Sequence, residues 1–491
     1  MIKHNRLMQE AYEREERERH VVSSDPFRLS YHLMPPVGLL NDPNGFIYFQ
    51  GAYHVFYQWN PFETGHGAKF WGHYRSSDLI SWKEEPIALA PDEWYDKNGC
   101  YSGSAVEHDG KLYIFYTGNV KDEDGKRSSY QCLAVSEDGV TFEKKGPVIH
   151  VPAGYTAHFR DPKVWREHGV WHMVLGAQNS DLQGEAVLFR SANLTDWEFV
   201  GPIAGSGISG LGDFGYMWEC PDMFKLGDKD VLIVSPQGLE PDGTLYQNLF
   251  QSGYFIGKWD SKSHKLCHGS FTELDRGFDF YAPQTTLDAN GKRLMFAWMG
   301  ITDAQEQDQP TVKNEWIHAL TMPRELILAG GRIYQKPVEE LKALRANPVE
   351  YREVSLKGDG PSKFEGIGGI TAELIFSFPK GVRGTFELII RENVRLQYDP
   401  NTQTFTLERK TFKGDGEETR QCTLEELETI HVFLDTSSIE VFLNGGTEVF
   451  TSRFFPDPDV TSIVMQSEKQ EECTIQKWDL QPFALEKGTD A

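Results

Sequence analysis

A strand signature that returns about every sixty residues constrains this 491-residue chain more than any other feature. Five segments of aromatic and branched residues align: Tyr53-His54-Val55-Phe56-Tyr57, Leu112-Tyr113-Ile114-Phe115-Tyr116, Trp171-His172-Met173-Val174-Leu175, Val231-Leu232-Ile233-Val234-Ser235 and Arg293-Leu294-Met295-Phe296-Ala297. Three copies are followed by a polar turn and then an aromatic residue, at Trp82, Phe142 and Trp197. Strand-length runs at this period, with almost no helical periodicity between them, predict a β-propeller of four-stranded blades. A β-sandwich has no reason to repeat at such an interval. The fold class expected is therefore all-β: a five-bladed β-propeller followed by a C-terminal β-sandwich. Residues 1–30 read as a polar, solvated helical leader, 31–335 as the propeller, 336–349 as a short linker helix and 350–491 as the sandwich.

The repeat also locates chemistry. The residues taken to open the innermost strands are Asp42, Ser102, Asp161, Glu219 and Tyr281, again at steps of about sixty. Equivalent positions on innermost strands ring the central channel, so three carboxylates distant in sequence converge on one axial pocket. Crowding them costs about 1 kcal/mol per pair even with water-like screening, and perturbed carboxylates are the expected consequence. Asp42 sits in Asn41-Asp42-Pro43-Asn44-Gly45, where Pro43 biases it to extended backbone and Asn44-Gly45 supplies a turn.

Composition excludes several classes. With 49 Lys+Arg against 73 Asp+Glu the net charge is −24, which argues against nucleic-acid or anionic-membrane partners. The six cysteines are dispersed without a Cys-x-x-Cys pair, so no zinc ribbon or disulfide framework is expected. No apolar run reaches the length of a membrane span and the N-terminus lacks a secretory apolar region, so a cytoplasmic location is expected. Gly205-Ser206-Gly207-Ile208-Ser209-Gly210 satisfies the dinucleotide fingerprint by letter but lacks a βαβ context. Asp122-Glu123-Asp124-Gly125 reads as a hairpin turn, and His168 and His172 lie four apart but on a strand-like segment without His-Glu-x-x-His, so no metal site is expected there. No metal and no cofactor are expected, and oligomeric state is left open.

Asn41-Asp42-Pro43-Asn44-Gly45, Arg160-Asp161-Pro162 and Glu219-Cys220-Pro221-Asp222 resemble the three signature motifs of glycoside hydrolase family 32, the invertases and fructan hydrolases. The resemblance extends through Tyr57-Gln58-Trp59-Asn60-Pro61, Trp71-Gly72-His73, Tyr101-Ser102-Gly103-Ser104, Phe280-Tyr281-Ala282-Pro283-Gln284 and Ser438-Ile439-Glu440-Val441-Phe442. It implies a retaining β-fructofuranosidase acting on sucrose or its 6-phosphate, with Asp42 as nucleophile, Glu219 as acid/base and Asp161 holding fructosyl hydroxyls. Fructan hydrolysis or fructosyl transfer is the alternative, and a non-catalytic sugar-binding propeller a remoter one. Substrate contacts would fall on Asn41, Gln58, Trp71, Tyr101, Ser102, Arg160, Tyr281 and Trp298. The segment Gly65-His66-Gly67-Ala68-Lys69-Phe70-Trp71 is similar to the bacterial sucrose-6-phosphate hydrolase branch of the family. In so acidic a chain, a phosphorylated sugar needs local cations, and His66 and Lys69 are expected to supply them at the pocket mouth.

Overall fold

The computed structural model describes residues 2–487 apart from 209, 357 and 359, so Ser209 of the glycine-rich loop lies outside the described residues. Five antiparallel sheets surround a central axis. Their innermost strands are Gly38–Phe49, Cys100–His108, Tyr155–Glu167, Met217–Leu226 and Tyr281–Leu287. Each innermost strand packs against the next, and the fifth returns to the first. These are the five blades of a propeller.

The apolar second strands explain the ring. Alternate side chains of a strand point to opposite faces, and here both faces meet another blade. In blade four, Val231 and Ile233 pack with Met295 and Leu326 of blade five, while Leu232 and Val234 pack with Val174 and Leu188 of blade three. In blade two, Ile114 and Tyr116 meet Phe56 and Trp71 of blade one, and Phe115 meets Phe159 and Met173 of blade three. A strand buried on both faces reads as a continuous apolar run, which is why this strand carried the repeat most clearly.

The shared turn before the aromatic residue has a specific build. Leu79, Gly139 and Leu194 adopt φ of 66°, 75° and 69°. Their N–H groups donate to Ser76, Ser136 and Ser191 Oγ at 2.8, 2.8 and 2.9 Å. In blades one and three the indole N–H of Trp82 and Trp197 then donates to the carbonyls of Leu79 and Leu194, both at 3.0 Å.

Two segments distant in sequence extend the sheet of blade one. Trp316–Ile317 pairs parallel with the start of blade one's inner strand, and Ala484–Lys487 pairs parallel with its outer strand Ser81–Leu89. The N-terminal helix Ile2–Ser23 departs from the expectation of a solvated leader. Its Ala11 and Val22 are buried, Tyr12 Oη accepts from Ile87 N at 3.0 Å, and buried Glu15 pairs with Lys487. The helix is polar over most of its surface, and it docks on one face through Ala11 and Val22, three turns apart, with Leu7 and Met8 packed against the same core.

The segment expected as a linker helix is six residues of 3-10 turns, Glu339–Leu344, which bury Leu341 and Leu344 on one side at the three-residue period. Beyond it a six-stranded and a five-stranded sheet form a β-sandwich with its own apolar core. The hairpin Ser438–Leu443 and Glu448–Arg453 is buried on both faces because the propeller covers one of them. Across that interface Arg324, held by Asp275 of the propeller at 3.1 Å, contacts Glu440 at 2.5 Å, and His32 lies 2.8 Å from Asp435 and 3.0 Å from Glu440.

Below the strand openings, Asp222 of blade four pairs with Lys163 of blade three at 3.0 Å and accepts from Thr285 N of blade five at 2.7 Å. Three blades meet on that carboxylate. Asp222→Ala leaves the buried Lys163 ammonium, which keeps only the Thr285 carbonyl at 2.7 Å, without its counter-ion and the Thr285 N–H unpaired, and is expected to cost about 3–5 kcal/mol of stability. Denaturant unfolding followed by tryptophan fluorescence measures the loss.

Candidate active site

Each innermost strand breaks register with its neighbour at the same height. The breaks span Asn41-Asp42, Ser102, Asp161-Pro162, Cys220-Pro221 and Ala282-Pro283. Asp161, Cys220 and Ala282 adopt φ of 66°, 47° and 49°, and each precedes a proline. Such a bulge re-aims side chains, and a proline within it leaves no N–H without a ladder partner.

This register corrects the sequence alignment by one residue. Asp161 is equivalent to Cys220 and Ala282, whereas Glu219 is equivalent to Arg160 and Tyr281. The prolines at 43, 162, 221 and 283 would have given that alignment. The carboxylates therefore occupy two levels.

The level of the bulge holds Asp42 and Asp161. Ser102 Oγ donates to Asp42 Oδ2, Asn41 Nδ2 donates to Oδ1 at 3.2 Å, and the Cys220 thiol lies 3.7 Å from Oδ2. Gln58 ties the donors together, giving Nε2–H to Ser102 Oγ and accepting from Asn41 at 3.2 Å. All of Asp42's hydrogen-bond partners are uncharged. Asp161 Oδ2 accepts from Cys220 N at 3.0 Å, and its own N–H donates to Thr117 Oγ1 at 3.0 Å. The level above holds Glu219, with Oε1 on Arg160 at 2.7–2.8 Å and Oε2 accepting from Gln237 at 2.8 Å and Tyr281 Oη at 2.7 Å.

Crowding shows in the protonation equilibria. Burial and the Glu219 charge push the Asp161 carboxyl up to about 7, with Asp42 adding and Arg160 opposing. Burial also raises Asp42, against the Ser102 hydrogen bond, and Glu219 adds to the rise. Cys220 stays a thiol because burial and the two aspartates push its pKa up. The bulge residues, among them Pro43, Ser102, Asp161, Cys220 and Ala282, also line a small void of about 10 Å³.

The remaining expected residues divide. Tyr101 is half-buried at the pocket and Tyr281 packs edge-on to Trp298 with ring centroids 6.2 Å apart. Trp71 is not a contact residue: it is 0% exposed, with its indole N–H on the Tyr101 carbonyl at 3.2 Å, and acts by holding Tyr101. Lys69 is not at the mouth. It is 3% exposed with no hydrogen-bond partner among the described residues, and burial brings its pKa down to about 7 despite Asp42 and Glu306. His66 Nε2 contacts Glu306 at 3.0 Å and Thr302 at 3.1 Å. Burial opposes ionisation of Glu306, but hydrogen bonds from His318 and His66 hold it down to about 2.

Sequence reasoning missed Thr117, Gln237, Cys220 and Glu306 as members of this site. Only Thr117 had a signal, because Gln58, Thr117 and Trp298 each directly follow the aligned second-strand segments of blades one, two and five. Glu306 lies in the long loop of blade five, where no repeat reaches.

The match to family models is decisive. Residues 32–337 match the glycosyl hydrolases family 32 N-terminal domain, and residues 340–480 its C-terminal domain. The chain belongs to glycosyl hydrolase family 32. The family 32 enzyme is 52% identical to sucrose-6-phosphate hydrolase of Bacillus subtilis (strain 168), over 96% of this chain and 98% of that relative. It superimposes on sucrose-6-phosphate hydrolase from Lactobacillus gasseri with a TM-score of 0.85 at 30% identity, covering 96% of this chain and 97% of that one. A Bombyx mori family 32 β-fructofuranosidase, solved as a point mutant in complex with sucrose, gives 0.84 at 35% identity, covering 97% and 98%. The family 32 chain is thus a glycosidase. Among its described residues no helix is long and apolar enough to cross a membrane.

The raised pKa of Asp161 carries a stability consequence. The native state binds its proton more tightly than the unfolded chain does, so this contribution is full below about pH 4 and is lost as pH rises through about 7. Asp161→Asn keeps an acceptor for Cys220 N without the charge. Its melting temperature is expected to exceed wild type at pH 8 and the gain to shrink toward pH 4, as thermal scans across that range would measure.

Proposed function

We propose that the family 32 enzyme hydrolyses the β-fructofuranosyl bond of sucrose phosphorylated on its glucosyl unit, with retention at the anomeric carbon. The observation that carries the mechanism is the unlike setting of two carboxylates. Asp42 is held by neutral donors, and Glu219 is clamped through both oxygens by Arg160, Gln237 and Tyr281. Retaining hydrolysis needs such a pair, one carboxylate as nucleophile and one carboxyl as acid/base.

In this reading Glu219 gives its proton to the glycosidic oxygen as Asp42 attacks the anomeric carbon, so the glycosidic bond breaks while an ester to Asp42 forms. Glu219 then takes a proton from water, whose oxygen displaces Asp42 and releases fructose. Asp161, fixed by the Cys220 N–H, holds fructosyl hydroxyls. Asn41, Gln58 and Ser102 orient Asp42, while Tyr101, Tyr281 and Trp298 line the sugar. Lys69 balances Asp42 electrostatically, and His66 secures Glu306. The phosphorylated substrate is supported by the activity for which the bacterial relatives are named, and such a substrate, formed during uptake, is met in the cytoplasm.

Asp42→Asn and Glu219→Gln are each expected to lower kcat by about 10³-fold or more without unfolding the chain. Hydrolysis in the presence of methanol should yield methyl β-fructofuranoside, and the α-anomer would show inversion. Comparing kcat/KM for sucrose-6-phosphate, sucrose and inulin decides the substrate, and a preference for inulin would overturn that part of the reading.

A further inference from the structure

We infer that Arg127 and His158 form an anion subsite on the Glu219 side of the pocket, which holds the phosphate of the leaving hexosyl unit. The inference rests on the reading above, in which Glu219 protonates the leaving oxygen and so marks where that unit lies.

Arg127 opens blade two's third strand, Arg127–Ser136, and its guanidinium stands 5.9 Å from the centroid of the Tyr101 ring. Among the described residues its side chain makes no ion pair and no hydrogen bond. The other cations near the carboxylates are committed or covered. Arg160 is bound to Glu219 and Lys163 to Asp222. Lys69 is buried, and its charge acts on Asp42 and Glu306, away from Glu219, so a phosphate reaches it only by opening the wall.

His158 supplies the second group. Arg160 Nη1 is 3.0 Å from His158 Nδ1 and can only donate, so Nδ1 accepts and the ring proton sits on Nε2. That N–H has no partner among the described residues. Burial, with Arg160 and Arg127 beside it, brings His158 down to about 4, so at neutral pH it is an uncharged donor. Arg160 links the two functions, because its Nε and Nη2 hold Glu219 while Nη1 orients His158. A free guanidinium and an oriented N–H beside an aromatic ring suit a sugar phosphate, with the ring facing the sugar and the donors facing the phosphate oxygens. In a chain of net charge −24 a dianion is repelled at range, so cations within a Debye length of roughly 8–10 Å must decide its binding.

The test reads the ratio of kcat/KM for sucrose-6-phosphate over sucrose in wild type, Arg127→Gln, Arg127→Lys, His158→Ala and Lys69→Ala. Wild type is expected to favour the phosphorylated sugar. Arg127→Gln should lower the ratio by about tenfold or more, the scale of one charge-assisted hydrogen bond. Arg127→Lys should lower it less, since a point charge remains, and inorganic phosphate should compete with sucrose-6-phosphate more weakly in Arg127→Gln than in wild type. A wild-type preference that survives in both folded Arg127→Gln and His158→Ala overturns the subsite, and loss of it in Lys69→Ala alone assigns the phosphate to the opposite wall. A wild type with no preference overturns the substrate reading itself. Should Arg127→Gln fail to fold, His158→Ala carries the same readout.

Discussion

The structure depends on hydrogen bonds that cross from one innermost strand to the next. These strands converge on the axis without forming a β-ladder with one another, so backbone N–H groups at the bulges and beyond have no sheet partner, and buried donors left unpaired are costly. Side chains from the adjacent blades satisfy them. Asn44 accepts from Gly103 N, Ser104 from Val164 N, Asp161 from Cys220 N, Asp222 from Thr285 N and Gln284 from Phe46 N, at 2.7–3.2 Å. The sequence of donors and acceptors runs round all five blades and closes.

Asp161 belongs to that ring and to the pocket at once. Its backbone takes a left-handed φ of 66° and its carboxylate bridges to blade four, while its second oxygen remains for the site. The same geometry places it near Asp42 and Glu219, and its carboxyl is pushed up to about 7 as a result. A fold that must satisfy bulged backbone with side chains thereby holds a crowded set of acids that no surface would retain, trading stability for a reactive arrangement.

The two levels of the site give the acids different surroundings. Hydroxyl and amide donors surround Asp42, so its charge is spread over neutral groups. Glu219, one residue before its bulge, meets the cation and the phenol that the equivalent positions Arg160 and Tyr281 provide. A shift of one residue in a strand turns a side chain to the other face, and the same shift along a bulge changes its neighbours from donors of one kind to another.

The sequence by itself determined the propeller, the sandwich, the convergence of Asp42, Asp161 and Glu219, and the family. Burial of second strands between two blades writes an apolar run into every sixty residues, and turns and prolines mark the strand openings in local residue choice. Only the tertiary structure decided which carboxylate faces which partner, that Trp71 and Lys69 are buried and not exposed to sugar, that the polar helix docks through Ala11 and Val22, and that Glu306, Arg127 and His158 stand at the pocket. Those facts arise from loops and blades distant along the chain meeting at one axis. Pairings of that kind depend on the closure of the whole ring, and no local pattern of residues records them.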